Sequence, residues 1–122
     1  MCFEIISQFN DAGTLANGLY TVSIGDSAGA LNQGSLCIAI GQIAGYYNQV
    51  SNAIAIGERA GQDNQSHDSI AIGSYAAHIY QGFQSIAIGL HAGSNYQQLN
   101  SIAIGQYAAN INQGVSSWSR RF

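Results

Sequence analysis

Few residues in this chain carry reactive chemistry, and one cluster sets three of the relevant types side by side. Ser66-His67-Asp68-Ser69 offers hydroxyl, imidazole and carboxylate in consecutive positions. A working triad needs the base between nucleophile and acid, converging in space. Neighbours on an extended loop point apart, so the cluster predicts no catalytic site. His67, His78 and His91 show neither an H-x-H nor an H-x-x-x-H spacing, which leaves no ready metal-ligand set within one chain. A histidine repeated around a threefold axis is the remaining route to a metal, and the Gly-Gly-x-Gly-x-Asp unit of calcium-binding repeats does not occur. No catalytic residue, metal ligand or cofactor is assigned. The candidates left for ligand or partner contact are Tyr46, Tyr47, Tyr75, Tyr80, Tyr96 and Tyr107. Their faces suit stacking on sugars or packing against a partner protein; the alternative is that they cover neighbouring repeats or subunit seams.

These side chains sit on a regular scaffold. A 16-residue unit recurs six times from Val22 to Ser117. Gly25, Gly41, Gly57, Gly73, Gly89 and Gly105 fall in one column, and Ala28, Ala44, Ala60, Ala76, Ala92 and Ala108 in another. Gln33, Gln49, Gln65, Gln81, Gln97 and Gln113 make a third. A fixed period without drift marks a solenoid in which each copy is one rung. The expected fold is all-β, a parallel β-roll or β-solenoid, with an N-terminal cap over 1–21, six repeats over 22–117 and a C-terminal cap over 118–122.

Within each unit, as in Ile54-Ala55-Ile56-Gly57, large and small residues alternate with a period of two, which reads as a strand. The isoleucines then share one face, and the expectation is that Ile24, Ile40, Ile56, Ile72, Ile88 and Ile104 form the interior seam. The glycine marks a corner, where the chain turns or passes close to another backbone. A second short strand is expected over x-Ala-Gly, as in Arg59-Ala60-Gly61, and an outer loop over Gln62 to Ser69. The glutamine column is expected to pass side-chain amide hydrogen bonds from rung to rung. At a spacing of about 4.8 Å per rung the six copies make a rod about 29 Å long.

Both ends are altered. Residues 6–21 read as a degraded further copy in which Gln8 and Phe9 stand at the isoleucine and glycine positions. At the other end Trp118, Arg120 and Arg121 begin another copy, and the two cations there discourage strand addition.

The composition narrows the function. Only 7% of the 122 residues are charged, with no proline, no lysine and a formal net charge of −3. No basic stripe exists to track a phosphate backbone, so nucleic acid is not an expected partner. No apolar run approaches the roughly 20 residues of a membrane-spanning helix. The N-terminal stretch MCFEIISQFNDAG lacks a positive leader region and carries Glu4, so it does not read as a secretory signal. Cys2 and Cys37 lie at unrelated repeat positions and are expected to be free thiols.

The unit Ser69-Ile70-Ala71-Ile72-Gly73-Ser74-Tyr75-Ala76, repeated from Ser85 and from Ser101, resembles the head repeats of trimeric autotransporter adhesins. It is similar also to repeats in phage and large-virus fibre proteins. The resemblance implies a left-handed parallel β-roll, three of which associate into a non-enzymatic surface fibre that binds host matrix or cells. The family unit usually has 14 residues, so 16 imply a longer outer loop.

Two isoleucines per rung are little core for sixteen ordered residues, and association is the expected remedy. Ala39, Ala55, Ala71, Ala87 and Ala103, continued by Ser23 and Ser119, suggest a flat small-residue subunit interface in a homo-oligomer, most simply a trimer. The function expected is a structural or adhesive fibre segment at an extracellular, cell or virion surface, where a host protein or glycan is a possible partner. A self-assembling head-to-tail filament is the alternative. An enzyme of the hexapeptide acyltransferase type is less favoured, since that helix takes 18 residues per turn.

Overall fold

The computed structural model describes residues 4–8 and 18–121. Its strands, in chain order, are β1 (Glu4–Gln8), β2 (Thr21–Ile24), β3 (Ile38–Ile40), β4 (Tyr47–Gln49) and β5 (Ile54–Ile56). They continue as β6 (Asp63–Gln65), β7 (Ile70–Ile72), β8 (Ile79–Gln81), β9 (Ile86–Ile88) and β10 (Asn95–Gln97). Last come β11 (Ile102–Ile104), β12 (Ile111–Gln113) and β13 (Trp118–Arg120). From β3 onward they alternate between two parallel sheets, of order β1-β2-β3-β5-β7-β9-β11-β13 and β12-β10-β8-β6-β4. Ile38 pairs with Ile54, Ile54 with Ile70 and Ile70 with Ile86. Each sixteen-residue step is therefore one turn, and the chain is a parallel β-solenoid.

The turn closes through two corners. After β5, Gly57 to Ala60 form a β-turn in which Ala60 N–H donates to the Gly57 carbonyl at 3.2 Å. Arg59, at its third position, has φ 55°, the left-handed value that a type II turn requires. The second strand begins beyond this turn, at Asp63. The x-Ala-Gly segment is thus a corner and not a strand, and the expected outer loop contains β6. The second corner, Ser66 to Asp68, is closed where Ser69 Oγ donates to the Ser66 carbonyl at 2.6 Å. Ser85, Ser101 and Ser117 repeat that bond. Gly57 itself has φ 126°, and a Cβ on it would lie 2.7 Å from the backbone of Gly73 one rung away. Both the dihedral and the close approach require glycine.

Five left-handed or glycine-only backbone positions per turn (Gly57, Arg59, Gly61, Asn64 and Asp68 in one case) pull the coil tight. The lumen holds only small side chains and one amide per turn. Ala39, Ala55, Ala71, Ala87 and Ala103 line it from the larger sheet, each with no exposed surface, and Ala28, Ala44, Ala60, Ala76, Ala92 and Ala108 line it from the first corner. The glutamine column enters from the smaller sheet, and Cys37, Ala53, Ser69, Ser85 and Ser101 close the second corner.

This reverses two expectations. Ile24, Ile40, Ile56, Ile72, Ile88 and Ile104 face outward, and the last is 46% exposed. The alanines expected at a subunit interface are instead the core. Period-two alternation gives the strand two faces, and here the width of the lumen decides between them. A Cβ at Gly61 would already touch Gln65 Oε1 at 2.6 Å and Ala55 Cβ at 3.3 Å, so the space between the sheets is one short side chain deep and no isoleucine fits.

At the N-terminal end β1 pairs in parallel with β2, joining Ile5 to Val22 and Gln8 to Ile24 with a bulge between. This places Gln8 in the isoleucine column. Most of the expected degraded copy, residues 9–17, lies outside the described residues, as do Cys2 and Phe122. At the other end β13 puts Trp118 opposite Ile102 and Arg120 opposite Ile104.

Candidate functional site

Inside the coil the glutamines form the expected ladder. Gln33 Nε2 donates to Gln49 Oε1 at 2.9 Å, Gln65 Nε2 to Gln81 Oε1 at 3.0 Å, Gln81 Nε2 to Gln97 Oε1 at 3.3 Å and Gln97 Nε2 to Gln113 Oε1 at 3.1 Å. From Gln49 onward each amide also crosses the lumen to a backbone carbonyl of the larger sheet, as where Gln81 Nε2 reaches the Ile70 carbonyl at 2.7 Å. A buried amide is tolerated only when it is hydrogen-bonded, and the column satisfies itself through its own repetition. The exception is Gln65 Oε1, which has no partner: Gln49 Nε2 is spent on the carbonyls of Ile38 and Ala53. The N-terminal member is held differently, with Ser23 Oγ donating to Gln33 Oε1 at 2.8 Å. Every glutamine of the column is buried, which makes it internal framework and closed to a large ligand.

The tyrosines divide between separate faces. Tyr75 and Tyr107 belong to a stack at the third position of the first corner, one member per rung. The Arg59 guanidinium lies 5.5 Å from the Tyr75 ring centre, Tyr75 and His91 stack at 4.9 Å, and His91 and Tyr107 at 5.1 Å and 5° between planes. His78 flanks the stack, 5.2 Å from Tyr75, and its Nε2 meets Gln62 Oε1 at 3.1 Å. Burial lowers the His78 pKa below the usual 6.5; Arg59 and His91 push the same way and Asp63 opposes them. Arg59 and His91 were missed as partners of the tyrosines, although the numbers 59, 75, 91 and 107 differ by one period and carried the signal. Tyr80 and Tyr96 lie on the outer face of the smaller sheet, 6.1 Å apart. Tyr46 and Tyr47 stand apart from both groups, before and at the start of β4.

No family model matches this chain, and neither the curated proteins nor the solved structures contain a significant match to it. The site is therefore read from its own chemistry.

Ser66, His67, Asp68 and Ser69 do not converge. Ser69 Oγ is committed to the Ser66 carbonyl, Asp68 Oδ1 accepts from Asn52 Nδ2 at 3.0 Å, and the His67 ring meets Phe83 edge to face at 6.3 Å. No group of three or more His, Cys, Asp or Glu side chains placed to hold a metal ion occurs among the described residues. Among them, too, no helix is long and apolar enough to cross a membrane. Cys37 is buried and free, and burial pushes its thiol pKa up, which suppresses the reactive thiolate.

Two features remain that present chemistry to a partner. The larger sheet turns two aliphatic columns outward, isoleucine throughout except at Val22: Val22, Ile38, Ile54, Ile70, Ile86 and Ile102 beside Ile24, Ile40, Ile56, Ile72, Ile88 and Ile104. Phe83, Leu99 and Val115 carry this apolar surface around the second corner, and Leu90 flanks it on the other side. The smaller sheet presents a groove beside Asn32, Asn48, Asn64 and Tyr80.

Proposed function

We propose that this chain is a non-enzymatic structural or adhesive rod segment of a fibre at an extracellular, cell or virion surface, and that it self-associates through its outward isoleucine face. The observation that carries this reading is the two-column isoleucine wall on the outside of the larger sheet. A contiguous apolar face of this kind marks an interaction surface, and side chains repeated in register suit a second copy with the same period. The apolar surface also turns a corner, through Phe83, Leu99 and Val115. Each rod then offers two different patches, as a closed threefold ring of heterologous contacts requires, and a trimer is the assembly this favours. The resemblance of the Ser-Ile-Ala-Ile-Gly units to adhesin head repeats and viral fibre repeats points the same way. The interface expected on the alanine face is replaced by the isoleucine face, because the alanines are enclosed.

The test is sedimentation equilibrium on the full chain and on Ile72→Lys. The wild type is expected to sediment as a trimer. The variant places a charge at mid-wall, on an already outward side chain, and is expected to weaken association at least 100-fold, about 3 kcal/mol, with unchanged circular dichroism. A wild type that stays monomeric at all concentrations overturns the proposal.

A further inference from the structure

The outer face of the smaller sheet carries a second ladder. Asn32 Nδ2 donates to Asn48 Oδ1 at 3.1 Å, and Asn48 Nδ2 to Asn64 Oδ1 at 3.0 Å. The next position in the column is Tyr80, with the Tyr96 ring beyond it, 6.1 Å away and tilted by 30°. Between this column and the second corner, where Val50 and Ser66 keep the surface low, runs an open groove of about 440 Å³, and none of its lining residues is charged. That volume falls within the range of roughly 300 to 1,000 Å³ typical of small-ligand sites.

The chemistry on offer is specific. An amide has two N–H donors and two acceptor lone pairs. The ladder uses one donor and one acceptor of Asn48, leaving one of each on a side chain that lines the groove. Such a pair matches a hydroxyl, or two neighbouring hydroxyls, which both donate and accept. Asn32 and Asn64 place further amides one rung to either side, about 4.8 Å away, close to the length of one sugar residue in an extended chain. Tyr80, 53% exposed, closes one end with an aromatic wall on which the apolar C–H face of a pyranose stacks. A peptide adding as a strand would need free backbone groups here. They are already used between rungs: Leu31 N–H bonds the Tyr46 carbonyl, Tyr47 N–H the Gln62 carbonyl, and Asn48 N–H the Leu31 carbonyl. The lack of charge in the lining disfavours sulfated or sialylated chains.

We propose that the groove bounded by Asn32, Asn48, Asn64 and Tyr80 binds a neutral oligosaccharide running along the rod axis. The site lies across the lumen from the isoleucine wall, so the proposal stands whether or not the rods associate.

The experiment screens the full chain against immobilised neutral oligosaccharides (cello-, chito-, malto- and galacto-series), sulfated and sialylated glycans, and extended peptides, followed by titration calorimetry on any hit. Tyr80→Asn removes the ring but installs the residue type that the column carries at positions 64 and 112, so it keeps the left-handed backbone. Asn48→Gly removes the amide and keeps the same freedom. Retention of a neutral oligosaccharide, weakened about tenfold or more by either variant and unchanged by Gln106→Ala on the far side of the coil, bears the proposal out. If Tyr80→Asn proves unfolded by circular dichroism, Asn48→Gly decides alone. The proposal is overturned if no neutral oligosaccharide binds at millimolar concentration, if binding ignores both variants, or if only anionic glycans or peptides are retained. Sedimentation of the same samples separates this outcome from any failure of self-association.

Discussion

Replacing Gln81 by leucine tests whether the internal amides hold the rod together or merely fill it. Leucine ends one atom short of the amide and branches at Cγ, so the substitution keeps a side chain in the lumen and removes all of its hydrogen bonds. Gln81 accepts from Gln65 Nε2 at 3.0 Å and donates to the Ile70 carbonyl at 2.7 Å, to the Ser85 carbonyl at 3.2 Å and to Gln97 Oε1 at 3.3 Å. The two shortest of these bonds are worth about 1 kcal/mol each, net of water. Leaving Gln97 Oε1 buried without its donor costs a further 1 to 3 kcal/mol or so, and the apolar atoms of leucine return about 1 kcal/mol. The expected loss is about 3 kcal/mol, a large share of the roughly 5 to 15 kcal/mol that stabilises most domains. Gln113→Leu, on the last rung of the ladder, makes the contrast: it donates to the Ile102 and Ser117 carbonyls and orphans no further glutamine. Its expected cost is about half as large, because a terminal rung has one neighbour where a central rung has two. Urea unfolding followed by circular dichroism measures both. Gln81→Leu within about 0.5 kcal/mol of wild type, the range of an ordinary surface substitution, or equal costs at the two positions, would refute the reasoning.

Two further outcomes follow from the geometry already described. Gly73→Ala forces a Cβ to 2.7 Å from the backbone of Gly89 at φ 124°, whereas a Cβ on Gly114 meets nothing within 4 Å; the first variant should lose several kcal/mol and the second stay within about 1 kcal/mol, read by thermal unfolding. His78 has its folded pKa below the unfolded value of 6.5, so the unfolded chain takes up the proton first: stability is constant above pH 6.5 and falls as pH drops through 6.5 toward the folded value. His78→Ser, which matches Ser94 at the same repeat position, should flatten that part of the pH profile relative to wild type, and identical profiles from pH 8 to 5 would contradict it.

How much of this was legible in the sequence depends on the feature. The period gave the parallel register, since only a rung-on-rung coil superposes Ile54, Ile70 and Ile86. The glutamine column gave the ladder, because an amide repeated in register bonds to its own copies. Gly57 announced a corner, and its φ of 126° bears that out. Which face of Ile54-Ala55-Ile56 lies inside was not legible. Alternation is symmetric between the two faces, and the usual preference for burying the larger residue pointed the wrong way. The answer lies in the lumen, and the left-handed backbone at Arg59, Asn64 and Asp68 tightens the coil around it; Asn and Asp favour that conformation, but the same columns hold Tyr75, Tyr80 and Gln84 in it as well, so residue type alone did not mark it. The tyrosines were found as a set, but their partition was hidden. Tyr75 joins Arg59 and His91 only because its offset within the period equals theirs, and Tyr80 borders a groove because the same column holds asparagine on the three preceding rungs.

The amide ladders also give the rod a direction. In the links Gln33–Gln49, Gln65–Gln81, Gln81–Gln97 and Gln97–Gln113 the nitrogen sits on the earlier rung and the oxygen on the later one, and Asn32, Asn48 and Asn52 follow the same sense toward Asn48, Asn64 and Asp68. The side-chain dipoles therefore add along the axis, as peptide dipoles add along a helix, and hydrogen bonds in such a chain polarise one another. A rod built this way has two unlike poles. Rods lying side by side in parallel keep rungs in register but set like poles together, whereas rods joined end to end can match donor to acceptor only in the same orientation. Any filament grown from this unit must then be polar, with a growing end chemically different from its base.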